Sequence, residues 1–167
     1  MGSLLKELSE EVGESAFAAV LQGTDIVYVA HVPSRRLLSV DETVDTRLTA
    51  FHTALGRAQL GYLDEPELWT LLRSVRHDPY TSSTITDRKG LYDRILGDRE
   101  QGFSIIDEEL EKGLRSLAVP VLGRDGNLLG GISVSVNATR TTRDHLRTVY
   151  LPKLRVAAVT ITARVSV

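Results

Sequence analysis

The dipeptide Asp125-Gly126 stands between two apolar runs, residues 114–122 and 128–136. Such a pair accepts the backbone that tight hairpin turns demand, so it predicts two neighbouring antiparallel strands. With these two residues as the turn, Arg124 faces Asn127; counting back sets Ser116 opposite Ser135 and Ala118 opposite Ser133. Side chains alternate between the faces of a strand. One face therefore carries Leu117, Val119, Val121, Ile132 and Val134, and must be core. The other carries Ser116, Ala118, Ser133 and Ser135, with Leu114 at its end and Gly131 opposite Pro120. A fully solvated face would carry long charged side chains. Small ones leave room above the sheet, and their hydroxyls can meet a ligand. The same pattern also fits a plain outer face or one covered by a helix. A three-residue loop would shift the pairing by one, yet Ser133 and Ser135 would still share a face.

The rest of the chain supplies partners for this hairpin. Leu4, Leu5, Leu8 and Val12 fall on one helical face, with Gly13 as a stop. So short a helix needs a neighbour to pack on. Residues 14–22 and 25–32 read as strands joined by a tight turn at Gly23, and the second, almost continuously apolar, is expected to be covered on both faces. Residues 37–40, after Pro33, serve as a third strand. The middle is helical. Residues 48–63 carry good helix formers, and Leu68, Leu71, Leu72 and Val75 make a stripe behind Pro66. Asp87 caps a helix that buries Leu91, Ile95 and Leu96 and stops at Gly102. Between them, residues 77–86 read as an exposed loop. A strand at 103–107 precedes the hairpin, and a last helix from Thr141 contains Pro152, which should kink it or split off its first turns. Strands, then helices, then strands, between terminal helices, predict an α+β fold with a mainly antiparallel sheet.

Composition narrows the function. The 167 residues suit one domain, and 42% hydrophobic with 25% charged is an ordinary globular balance. A formal net charge of −2 argues against this chain gripping nucleic acid unaided, since phosphate binding needs surplus Lys and Arg. With no cysteine there is no disulfide, thiolate nucleophile or Cys-ligated zinc. No apolar run reaches the roughly 20 residues of a membrane helix, and the charged amphipathic start is unlike a secretory signal; a cytoplasmic protein with no membrane partner is expected. The histidines (His31, His52, His77 and His145) make no metal-ligand spacing and are read as surface or helix-packing groups, although His52 falls near the expected pocket. Ser133 lacks a nucleophile elbow, and residues 123–131 are a hairpin rather than a phosphate loop. Neither an enzyme nor a metal or cofactor site is expected.

Three segments together resemble the C-terminal effector-binding domain of IclR-type bacterial transcription regulators. They are GESAFAAVLQGTDIVYVAHVPSRR from Gly13, TRLTAFHTALGRAQLGYL from Thr46, and GFSIIDEELEKGLRSLAVPVLGRDGNLLGGISVSV from Gly102. The resemblance implies a GAF-like fold, a roughly six-stranded antiparallel sheet with helices on both sides. It implies a single effector-binding domain over residues 1–167, without the winged helix-turn-helix that binds DNA in the family. Partners would be a small organic acid, further copies of the chain in a dimer or tetramer, and DNA only through that missing domain. The acid would sit in a cup lined by Leu37, Val40, Thr53, Ala54, Leu55, Leu114, Ser116, Ser133 and Ser135. Ile106 occupies a position where the family carries an acid, while Asp107 and Glu109 keep the acidic pattern as loop-structure or ligand groups. HVPSRR and VNATRTTRDHLRTVYLPKL resemble the subgroup governing aromatic-acid breakdown by the β-ketoadipate pathway, which points to protocatechuate, 4-hydroxybenzoate or β-ketoadipate. An anion would need donors: free N–H groups near Thr53, the serines, or Arg36 or Arg47. A GAF-type dimerisation or docking module without a ligand is the competing function.

Overall fold

The computed structural model describes residues 2–34 and 44–165. The expected strand at 37–40, with Leu37, Val40 and Arg36, lies outside the described residues. Among the described residues six strands build one antiparallel sheet: β1 (Ser15–Gln22), β2 (Asp25–Val32), β3 (Arg47–Thr49), β4 (Ser104–Asp107), β5 (Leu114–Leu122) and β6 (Leu128–Asn137). Their spatial order is β3-β2-β1-β6-β5-β4, so the first and last hairpins meet at the centre through β1 and β6.

Helices cover both faces. On one side α1 (Gly2–Val12) and α6 (Leu151–Val165) pack on Leu117, Val119, Ile132 and Val134, the face assigned to core from alternation. The terminal helices also touch each other: Lys153 lies 3.6 Å from Glu11, and the Tyr150 hydroxyl donates to the Val12 carbonyl at 3.2 Å. On the other side α2 (Ala54–Leu60), α3 (Glu65–Ser74) and α4 (Arg88–Gln101) enclose Phe17, Ile106 and Ala118. Asp64 and Asp87 cap α3 and α4 by accepting from Glu67 N and Gly90 N. Gly102, at φ 86°, closes α4 in the left-handed conformation glycine tolerates.

Several boundaries differ from expectation. Residues 48–63 are not one helix: Leu48 and Thr49 belong to β3, paired with Ile26 and Asp25, and the helix waits for the Thr53 cap. Ladder hydrogen bonds to an open sheet edge outweigh the helix propensity of the first residues here. Leu96 is 40% exposed because it sits off the stripe shared by Leu91 and Ile95. Nor is β2 covered on both faces. Its pairing with β1 skips from Ala18↔Ala30 to Ala19↔Tyr28, leaving Val29 as an exposed bulge. A bulge reverses the alternation beyond it, so Tyr28 and His31 both stack on Phe17. Pro152 does perturb the last helix. Residues 146–150 form a wide π turn between α5 (Arg143–His145) and α6, just before the proline.

The β5–β6 register is the predicted one, Ser116↔Ser135 and Ala118↔Ser133, but it is reached differently. Gly123 N donates to Asn127 O at 2.7 Å and Gly126 N to Gly123 O at 3.0 Å, so the loop has three residues, with Gly126 at φ 83°. The register shift between Val121 and Leu122 leaves Leu129 as an extra residue that cancels the longer loop.

Candidate functional site

Helix α2 covers only part of the small-residue face. At Gly131 a Cβ atom would lie 3.1 Å from Gln59 Nε2 and 3.3 Å from a Leu55 methyl, so the helix seats directly on the backbone there. Gln59 fixes that contact: its amide nitrogen donates to Ala19 O and Leu55 O, and its oxygen accepts from Leu21 N. Toward the other end of the hairpin the helix has ended, and a cavity of about 350 Å³ opens over the serines. All seven expected site residues within the described chain line it: Thr53, Ala54, Leu55, Leu114, Ser116, Ser133 and Ser135. Sequence reasoning did not assign Phe17, Tyr28, Leu48, Leu110 and Glu111 to this lining, and Ile106 adds an apolar wall. The Val29 bulge explains why Tyr28 was missed, because it is invisible in the alternation pattern of an unbroken apolar run.

The entrance to α2 is built rigidly. Thr53 Oγ donates to Thr49 O at 3.0 Å and accepts from Gly56 N at 3.1 Å, so its hydroxyl is committed to the backbone. Gly56 rests against the Ala50 backbone so closely that a Cβ atom would collide with it. Beneath, the wholly buried Arg57 donates to Phe51 O at 2.7 Å and to both oxygens of Glu109. Glu109 thus holds the loop after β4, and Asp107 does likewise, paired with Arg115 at 2.8 Å and Arg143 at 3.7 Å. Thr81 and Thr84, in the segment expected to be a plain exposed loop, donate to the carbonyls of Glu108 and Glu109, docking that segment on the same place.

The described lining of the cup is mostly uncharged. Ser116 and Ser135 share a 3.0 Å hydrogen bond that uses one of their two hydroxyl protons and leaves the other for a further acceptor. Among the described lining residues there is no Lys or Arg, and Glu111 is the sole carboxylate. Arg47 does not line the cavity; it stands exposed at the sheet edge, 3.7 Å from Asp25 and hydrogen-bonded to Gln22. His52, read from sequence as a surface or packing group, lines the cup at 1% exposure, with neither ring nitrogen hydrogen-bonded. Burial, then the positive charges of Arg57 and His77, lower its pKa to about 4, and Asp78 opposes them weakly. The signal was its place immediately before the Thr53 cap.

Comparison with known proteins agrees with this architecture. The family model for the bacterial transcriptional regulator IclR C-terminal region matches residues 1–163. The Pca regulon regulatory protein of Pseudomonas putida is 38% identical over 155 residues, which cover 92% of this chain and 53% of that protein. The chain thus spans about half the length of that curated relative. The crystal structure of the C-terminal domain of the Escherichia coli transcriptional regulator KdgR superposes with a TM-score of 0.88 at 30% identity, covering 99% of this chain and 95% of that one. A double mutant of the PobR inducer-binding domain from Acinetobacter, complexed with 3-hydroxybenzoic acid, shares the fold at a TM-score of 0.89 and 24% identity, covering 96% and 94% of the two chains.

Proposed function

Since this chain belongs to the IclR C-terminal family of bacterial transcriptional regulators, we propose that it is a sensor whose cup binds a small organic acid, in the cytoplasm, without transforming it. One observation carries the reading: seven residues from two separate parts of the chain converge on a single cavity of about 350 Å³ with hydroxyls on its floor. That size lies in the range of small-molecule sites, and so does the mixture of apolar walls with a few polar groups. The aromatic or keto acids of the β-ketoadipate pathway are the proposed effectors, supported by 38% identity to a Pca regulon regulator. In this reading DNA is contacted by a winged helix-turn-helix outside these 167 residues, and self-association of the sensor carries the signal to it.

Protocatechuate, 4-hydroxybenzoate and β-ketoadipate, tested by thermal shift and isothermal titration, check the proposal. A ligand at a hundred times its Kd should add about 2.7 kcal/mol to stability. A flat response to all three and to a wider panel of aromatic and aliphatic acids would sink the sensor reading.

A further inference from the structure

His52 is a buried polar group of the cup that the described residues leave unsatisfied. Both ring nitrogens are buried and neither has a hydrogen-bond partner. Buried polar groups in native proteins are nearly always paired, so each exception calls for a reason. Packing alone is a poor one, since a phenyl ring would fill the same space with nothing left unpaired.

Among the described residues, the charged and ring-nitrogen groups near the ring have partners elsewhere. From the segment after α3, His77 and Tyr80 meet it edge-on at 5.5 and 5.4 Å between ring centres. His77 Nε2 is bonded to Leu72 O at 2.9 Å, and Asp78 pairs with Arg76 at 2.8 Å. From α2, the Arg57 guanidinium is held by Glu109 and Phe51 O. Burial and Arg57 keep the imidazole uncharged at neutral pH. A neutral imidazole has one N–H donor and one lone-pair acceptor. A carboxylate offers acceptors only, and can answer just the first. The acceptor nitrogen needs a partner carrying a proton, and a hydroxyl both gives a proton and receives one.

We propose that His52 is a ligand-contact residue that reads a hydroxyl group, so that the cup takes hydroxy acids in preference to the same acids without the hydroxyl. This rests on the acid-binding reading above and narrows it to a chemical class. The described lining fits that class, since besides Glu111 its polar side chains include hydroxyls and the His52 imidazole, which can donate to and accept from a guest.

The test compares 4-hydroxybenzoate with benzoate by isothermal titration at pH 7, with pyruvate and β-ketoadipate as acids lacking a hydroxyl. Wild-type protein should bind 4-hydroxybenzoate roughly tenfold or more tighter than benzoate. His52→Phe keeps a ring against His77 and Tyr80 and should reduce that preference to about twofold or less, while His52→Asn, with a donor and an acceptor, should restore part of it. Imidazole 15N shifts of His52 in wild-type protein need no variant, and should move at the acceptor nitrogen when 4-hydroxybenzoate is added. A preference unchanged in folded His52→Phe, or unmoved 15N shifts at saturation, overturns the inference. Binding confined to the acids without a hydroxyl overturns it too, yet leaves the acid-binding cup standing. Failure of every acid removes both.

Discussion

Arg57 holds both carboxylate oxygens of Glu109, at 3.0 and 3.1 Å, entirely within the protein. This pair joins the helix that roofs the cup to the loop after β4, and Thr81 and Thr84 fasten onto the same loop. Removing one partner of a buried ion pair strands the other charge away from water. Arg57→Met should therefore lose about 3–5 kcal/mol in urea unfolding. Arg57→Lys should recover only part of it, because an ammonium cannot reproduce the forked geometry that also reaches Phe51 O. Equal stability of the lysine variant and wild type would contradict this account.

His52 links stability to pH. Its folded pKa is about 4 against 6.5 for an ordinary imidazole, so between those values the unfolded chain binds the extra proton. Stability from this group is thus fully present above pH 6.5 and lost as pH falls through 4, by about 3 kcal/mol in all. Carboxylates titrate in the same acid range, so the measurement is a difference. Denaturation of wild type and His52→Phe at pH 7.5, 6, 5 and 4 should show the variant's relative stability rising as pH falls. Parallel curves would refute the assignment.

Two glycines make a matched comparison. At Gly56 a new Cβ meets the Ala50 backbone, which cannot turn aside as a side chain would, and Gly56→Ala should cost about 3 kcal/mol, the upper end for overpacking. At Gly97, in the interior of α4, nothing lies within 4 Å of the added atom. There Gly97→Ala should stabilise by about 0.5–1 kcal/mol through backbone entropy and helix propensity. Thermal melts of the pair should move in opposite directions.

Ser133 and Ser135 point into the cavity from neighbouring positions of one strand face. Leucine at either site would occupy the space a guest needs, amid apolar walls that tolerate it. Ser133→Leu and Ser135→Leu should fold, by circular dichroism, and lose roughly tenfold or more in affinity for any acid that wild type binds. Retained affinity in both would place the guest elsewhere.

Much of this site was legible in the chain. Alternation and one turn signal placed Ser116, Ser133 and Ser135 together, because a strand's two-residue period is local and depends on nothing distant. The correct register owed something to compensation: the loop is one residue longer than assumed, and the bulge at Leu129 takes the extra residue back. The start of α2 was harder. Leu48 and Thr49 carry no mark that they will pair with β2, since strand partners are chosen across the fold.

By itself the sequence determined the α+β class, the two faces of the last hairpin, the caps at Asp87 and Gly102 and the want of surplus positive charge. All of these follow from local periodicity, turn chemistry or simple counting. Only the tertiary structure decided where α2 stops short of the serines, that Glu109 and Arg57 are committed to each other, and that His52 turns inward unpaired. These features arise between residues far apart in the chain, where packing and desolvation act on whatever the fold brings together.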